Sequence, residues 1–218
     1  MKHIHYVNLG YPKTATTWLF ENLIQYPGID YNGIKENSYL PNIGYPLDPY
    51  INYYWPYNIS LSFAPNQFQL DSKQYKDLNQ LATHFSIVLR NPYQIISSLI
   101  NRYGAKNLNS YTKDLIKLNF FDYQRVVARM ISSGLTKPIL VLYYDDIEKN
   151  PIDVLKTVIN HLELPVNQDF FNSYTNTKIN STNHTQEILF DYEETTIINE
   201  WIDRASEYFN KNLEHWKR

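Results

Sequence analysis

His3-Ile-His-Tyr-Val-Asn-Leu-Gly10-Tyr-Pro-Lys13-Thr-Ala-Thr-Thr-Trp18 decides the reading of this chain. Residues 3–9 have the length and apolar content of a short strand. Gly10 and Pro12 punctuate a turn that ends at Lys13. Thr16 or Thr17 caps a helix that runs to about Tyr26 and stops at Pro27-Gly28. A strand, a tight loop and a helix start together make an anion site, because open N–H groups and the helix dipole both favour negative charge. Lys13 adds a full positive charge, and Thr14, Thr16 and Thr17 add hydroxyl donors. The order G-x-x-x-x-G-K-[ST] is absent, so this is not a Walker A loop.

Downstream, Phe85-Ser-Ile-Val-Leu89 is a continuous apolar run of the kind buried on both faces of a parallel sheet. A helix follows from Pro92 to about Tyr103, with proline in its first turn. The pattern then predicts a helix over 115–133, a strand over 138–143, a helix over 151–162 and a final helix from Glu193 to Trp216. A strand over 29–34 is also expected. Residues 40–72 read as irregular, with short helical pieces, and 165–187 as a polar loop. Alternating strands and helices with apolar strands predict an α/β fold. Its form is a three-layer sandwich, with a central parallel sheet and a P-loop-like strand–loop–helix. No repeat or linker divides the chain, so 1–218 is expected to be a single domain.

Composition narrows the function classes. The 218 residues carry a formal charge of −2, which disfavours a nucleic-acid partner. There are no cysteines, so disulfides, thiolate metal sites and cysteine nucleophiles are excluded, and no metal-ligand cluster appears. No signal-type segment and no apolar run of about 18 residues is present, so a cytoplasmic location without a membrane partner is expected. The sequons at Asn58, Asn180 and Asn183 are then chance matches in an Asn-rich chain.

Tyr11-Pro-Lys-Thr-Ala-Thr-Thr-Trp18 resembles the 5′-phosphosulfate loop of sulfotransferases, usually written like Tyr-Pro-Lys-Ser-Gly-Thr-Thr-Trp. Thr14 for serine keeps the hydroxyl. Ala15 for glycine brings a methyl group to the phosphate and is tolerable if its φ is negative. The resemblance implies that Lys13, Thr14, Ala15, Thr16 and Thr17 hold the 5′ end of 3′-phosphoadenosine-5′-phosphosulfate (PAPS), with Trp18 near the adenine. The resemblance covers residues 3–40 and 84–165, and 1–218 is expected to be a single sulfotransferase-like domain. Arg90-Asn-Pro92, with Ser98 eight residues past the arginine, resembles the family's 3′-phosphate site. An arginine at a strand's C-terminal end is where open α/β sheets bind ligands, and its planar fork suits phosphate. Leu140 to Pro165 resembles the family's strand, acidic turn and helix, with Asp145 and Asp146 structural.

Sulfuryl transfer needs a base, and the resemblance offers two kinds. Enzymes of the carbohydrate-modifying kind place a glutamate directly after the second strand, where Gly33-Ile-Lys-Glu36 stands here. The histidine of the phenol and steroid enzymes falls near residue 68, where this chain has Phe68 between Gln67 and Gln69. Glu36 is therefore the expected base, Lys13 its catalytic companion, and Lys35 a further candidate for the sulfuryl group. His84 reads as structural, and Lys178 as a solvated lysine, with closure of its loop over the nucleotide as the alternative. The acceptor is a hydroxyl on a carbohydrate or small molecule, entering over 37–72, where Tyr39, Tyr45, Tyr50, Tyr53, Tyr54, Trp55 and Tyr57 cluster. Two alternatives stay open: a module of the same fold that holds nucleotide or glycan without turnover, and a P-loop kinase.

Overall fold

β1 (Ile4–Asn8) pairs in parallel with β2 (Ile59–Phe63) on one side and with β3 (His84–Leu89) on the other. β4 (Ile139–Tyr143) completes the order β2-β1-β3-β4. The computed structural model describes residues 4–29, 59–64, 67–103, 108–174 and 189–218. Helices flank this parallel sheet, so the α/β expectation holds. The strands alternate faces, which sorts their side chains. Tyr6, Ile59, Leu61, Phe63, Val88 and Leu142 form one core with α1 (Thr16–Leu23) and with Val154, Leu155, Val158 and Ile159. The opposite row, Val7, Leu9, Phe85, Ile87 and Leu89, is equally buried, so both faces are covered.

The chain divides into two compact units. One joins residues 1–89 to 133–181, and the other joins 90–132 to 182–218. In the first, α2 (Ser72–Leu81) opens on a capping box in which Asp71 accepts from Gln74 N–H and Gln74 reaches back to Asp71 N–H. Lys137 closes its other end by donating to the Asn79 and Ala82 carbonyls, where the helix dipole is negative. In the second, α3 (Pro92–Tyr103), α4 (Leu108–Lys117) and α5 (Tyr123–Ser132) precede β4 in sequence. Two further helices of the first unit, α6 (Tyr144–Lys149) and α7 (Pro151–His161), follow β4. Asp145 and Asp146 lie in the first turn of α6, as structural residues should.

Several expectations need correction. The segment 40–72 contains β2, because Ile59-Ser-Leu-Ser-Phe63 alternates at the strand period and its serines find partners, Ser60 with His5 and Ser62 with Gln67. The helix expected over 115–133 is two helices. Asn119 turns left-handed between them, and Asp122 starts the second by accepting from Arg125 N–H. The polar loop 165–187 contains α8 (Gln168–Ser173), capped by Asn167. The last helix, α9 (Tyr192–Tyr208), stops short of Trp216, which stands in a separate turn of 3-10 helix, Glu214–Trp216. α1 ends at Leu23 rather than near Tyr26, and turns carry the chain to Gly28, whose φ of 90° suits glycine. Of the strand expected over 29–34, all but Ile29 lies outside the described residues, and Ile29 itself closes a turn onto the Tyr26 carbonyl.

Candidate functional site

The loop between β1 and α1 is where the sequence and the backbone meet. Lys13 and Ala15 both lie in the left-handed region, at φ 63° and 64°, and Thr16 begins the right-handed helix. Alternating hands turn successive N–H groups toward one side, a nest that holds anions. The first intrahelical bond runs from Leu19 N–H to the Ala15 carbonyl, so the amides before it stand at the positive end of α1. Lys13, half-buried, brings a positive charge to the same loop. The residues present therefore fit a phosphate or sulfate group.

Three details differ from the sequence reading. Ala15, not Thr16 or Thr17, is the N-cap of α1, without a side-chain bond. Its φ is positive, so the condition set for tolerating a methyl there is not met. The left-handed conformation costs an L-residue about 1–2 kcal/mol, which the loop bears at a residue whose neighbours are already fixed. Thr14 is fully buried and donates its hydroxyl to the Tyr11 carbonyl at 2.9 Å. That proton closes the loop and is not offered to an anion. Thr16 and Thr17 stay half-exposed.

Trp18 points into the core of the first unit and is 5% exposed. It is the hydrogen-bond partner of the Tyr174 hydroxyl, while burial raises the Tyr174 pKa. An adenine contact from Trp18 is thus not visible in its packing. Sequence reasoning missed the residues that brace the loop from beneath. Phe68 stacks on Tyr11, with ring centroids 4.3 Å apart. Beside it, Gln67 is fully buried. Its side-chain amide donates to Ser62 and its backbone carbonyl accepts from the Tyr75 hydroxyl, while its Oε1 meets no donor among the described residues. The Gln67-Phe-Gln69 segment is one turn of 3-10 helix just past the carboxyl end of β2, where open α/β sheets take ligands. At the same end of the sheet, burial and the Asp146 charge push Tyr143 up to about 12, so its phenol keeps its proton at neutral pH.

Arg90 and Ser98 belong to the second unit. Arg90 follows the last residue of β3, and its Nε donates to Gln94 Oε1 at 3.1 Å. Its own carbonyl accepts from the Tyr123 hydroxyl, a phenol that burial raises well above the ordinary tyrosine range. Asn91 ties the turn on both sides. Its Nδ2 donates to the Trp216 carbonyl and its Oδ1 accepts from Tyr93 N–H, opening α3. Ser98 is buried on the second turn of α3. Ser97, which the spacing passes over, donates its hydroxyl to the Tyr93 carbonyl. Glu36, Lys35, Lys178 and the aromatic group from Tyr39 to Tyr57 lie outside the described residues. His84 pairs with Thr83 and meets the His161 ring edge-on, as a structural residue would. Among the described residues no group of acidic or histidine side chains could hold a metal ion, and no helix is long and apolar enough to cross a membrane.

Comparison with known proteins extends this geometry. A family model described as the sulfotransferase domain matches residues 4–217. Among solved structures, a sulfotransferase from Alicyclobacillus acidocaldarius is similar at a TM-score of 0.72 and 13% identity, over 100% of both chains. Mouse sulfotransferase SULT7A1, complexed with PAP, gives 0.58 at 16% identity, over 97% of this chain and 85% of its own. The sulfotransferase domain of the Synechococcus PCC 7002 olefin synthase gives 0.54 at 16%, over 98% and 97%. A search of curated proteins finds no significant match. At these identities the solved structures establish the fold. The family match spans both units and decides against a kinase. An anion nest after β1, on a parallel sheet covered on both faces, and a match from residue 4 to residue 217 lead to one conclusion: the chain belongs to the sulfotransferase domain family and is a sulfotransferase enzyme.

Proposed function

We propose that this sulfotransferase uses PAPS as donor and a hydroxyl of a carbohydrate or small glycoside as acceptor. The nest of Lys13 and Ala15 at the start of α1 carries this reading, because it offers charge and aligned amides to the 5′ phosphosulfate. Arg90 and Ser98 take the 3′-phosphate, and the two units then act as one sulfotransferase-like domain over 1–218. The acceptor oxygen bonds to sulfur as the bond from sulfur to the bridging phosphate oxygen breaks. The products are the sulfate ester and 3′,5′-bisphosphoadenosine. The acceptor proton passes to the Glu36 carboxylate. Lys13 neutralises charge on the bridging oxygen as it leaves. No step in this scheme requires a metal.

Incubating the chain with isotope-labelled PAPS and a panel of glycosides, phenols and steroids tests the reading. Label transfer to a glycoside is the expected result, with Glu36→Gln cutting turnover at least about 100-fold while nucleotide affinity holds. Transfer to phenols or steroids alone would overturn the acceptor class. Equal loss of turnover and affinity in Glu36→Gln would remove Glu36 as base. No transfer and no binding of 3′,5′-bisphosphoadenosine would overturn the donor.

A further inference from the structure

Asn8 is the last residue of β1 and is 1% exposed. Its Nδ2 donates to Ser86 Oγ at 2.9 Å, and its Oδ1 accepts from the Gly10 N–H at 3.2 Å. Ser86 Oγ also takes the Tyr6 hydroxyl. Tyr6, Asn8 and Ser86 share the sheet face that α1 covers, where their neighbours are mostly apolar, His84 excepted. Buried polar groups in such surroundings are tolerated only when paired, and apolar residues of similar volume would pack there at no such cost. Among the described residues this chain of bonds runs from Tyr6 through Ser86 and Asn8 to the amide of Gly10, the first residue of the loop.

The sheet's own ladder weakens at that residue. Leu9 N–H donates to the Ser86 carbonyl at 2.8 Å, whereas Val88 N–H reaches the Gly10 carbonyl only at 3.5 Å. The second distance is at the weak end of the hydrogen-bond range. Gly10 has a φ of 95°, so its backbone takes a setting the strand does not impose. The Asn8 side chain takes over where the ladder loosens.

We propose that Asn8, aligned by Ser86 and Tyr6, is a positioning residue that sets Gly10 and through it the turn carrying Lys13. Affinity for the nucleotide's 5′ anion then depends on a carboxamide that never touches the anion. The inference rests on reading the Tyr11–Thr17 loop as the anion cradle.

Calorimetric titration of 3′,5′-bisphosphoadenosine into wild type, Asn8→Ala, Ser86→Ala and Tyr6→Phe tests it, with donor and acceptor KM measured alongside. Wild type binds. Asn8→Ala raises Kd about tenfold, the loss expected for one effective hydrogen bond. Ser86→Ala leaves the Gly10 acceptor in place but unaligned and raises Kd less, and Tyr6→Phe raises it least. Donor KM follows the same order, and acceptor KM stays level. A purely structural role lowers the melting midpoint in that order but leaves Kd and donor KM of the folded enzyme unchanged. A folded Ser86→Ala with a lower midpoint and Kd within about twofold of wild type therefore overturns the proposal. Should Asn8→Ala not fold, Ser86→Ala and Tyr6→Phe decide. Failure of wild type to bind removes the cradle reading and this inference with it, whereas wild-type binding with indifferent variants removes the inference alone.

Discussion

The β1–α1 loop and the Arg90–Pro92 turn each follow a central strand of the same sheet, yet they are held in opposite ways. The first is shaped mainly from within. Two residues sit in the left-handed region, and Thr14 turns inward to bond Tyr11 three positions earlier. The second is shaped from far along the chain. Its Arg90 carbonyl is held by Tyr123, and its Asn91 side chain by the carbonyl of Trp216, 125 positions away. A loop built from its own dihedrals aims backbone amides. A turn tied by distant side chains aims one side chain, here Arg90. The difference suits a diffuse anion cradle in one place and a single planar fork in the other.

Lys13→Ala breaks this contrast most severely. It leaves the backbone nest and removes its charge, so kcat/KM for the donor should fall at least about 100-fold, with the melting midpoint nearly unchanged. A fall under about tenfold would mean the amides alone hold the anion. Asn91→Ala attacks the tied turn. It removes the bonds from Asn91 to the Trp216 carbonyl and the Tyr93 N–H, and stability should drop by about 2 kcal/mol, or about 4–8 °C in the midpoint. No drop in a thermal melt would show that the C-terminal tether is idle. Ala15→Gly is the mildest change. Relief of the left-handed strain, offset by glycine's greater freedom when unfolded, should raise stability by about 0.5–1 kcal/mol. Denaturant titration reads this directly, and a loss of stability would mean that Ala15 does not sit at positive φ.

The same contrast explains what was legible in the sequence. β1 and β3 are largely apolar strands and are buried, β4 is an apolar run that stands half-buried, and α7 opens on Pro151 with apolar residues at helical spacing. The lysine, the hydroxyls and the arginine could be located because charge and chain position are local properties. The hand of Ala15 could not, because the left-handed state at a non-glycine residue is imposed by surroundings. Nor could the inward turn of Thr14, which depends on where the Tyr11 carbonyl lies. β2 escaped notice because its serines look like loop residues until His5 and Gln67 are seen beside them. Asn8 escaped for the same reason: its partners, Ser86 and Gly10, are brought to it by strand pairing.

The division of the first unit into residues 1–89 and 133–181 has a consequence for how the chain is made. β3 must wait for β4 while residues 90–132 are synthesised. Closing so long an excursion costs little in stability, since doubling a loop adds only about 0.6 kcal/mol. Its cost is in time, because contacts between distant parts of a chain form slowly. Until then the nascent protein carries β3 with an open edge and lacks Val154, Leu155, Val158 and Ile159 from its core. A chain released early, at about residue 130, would present an unpaired parallel strand to its neighbours, the state most prone to aggregate.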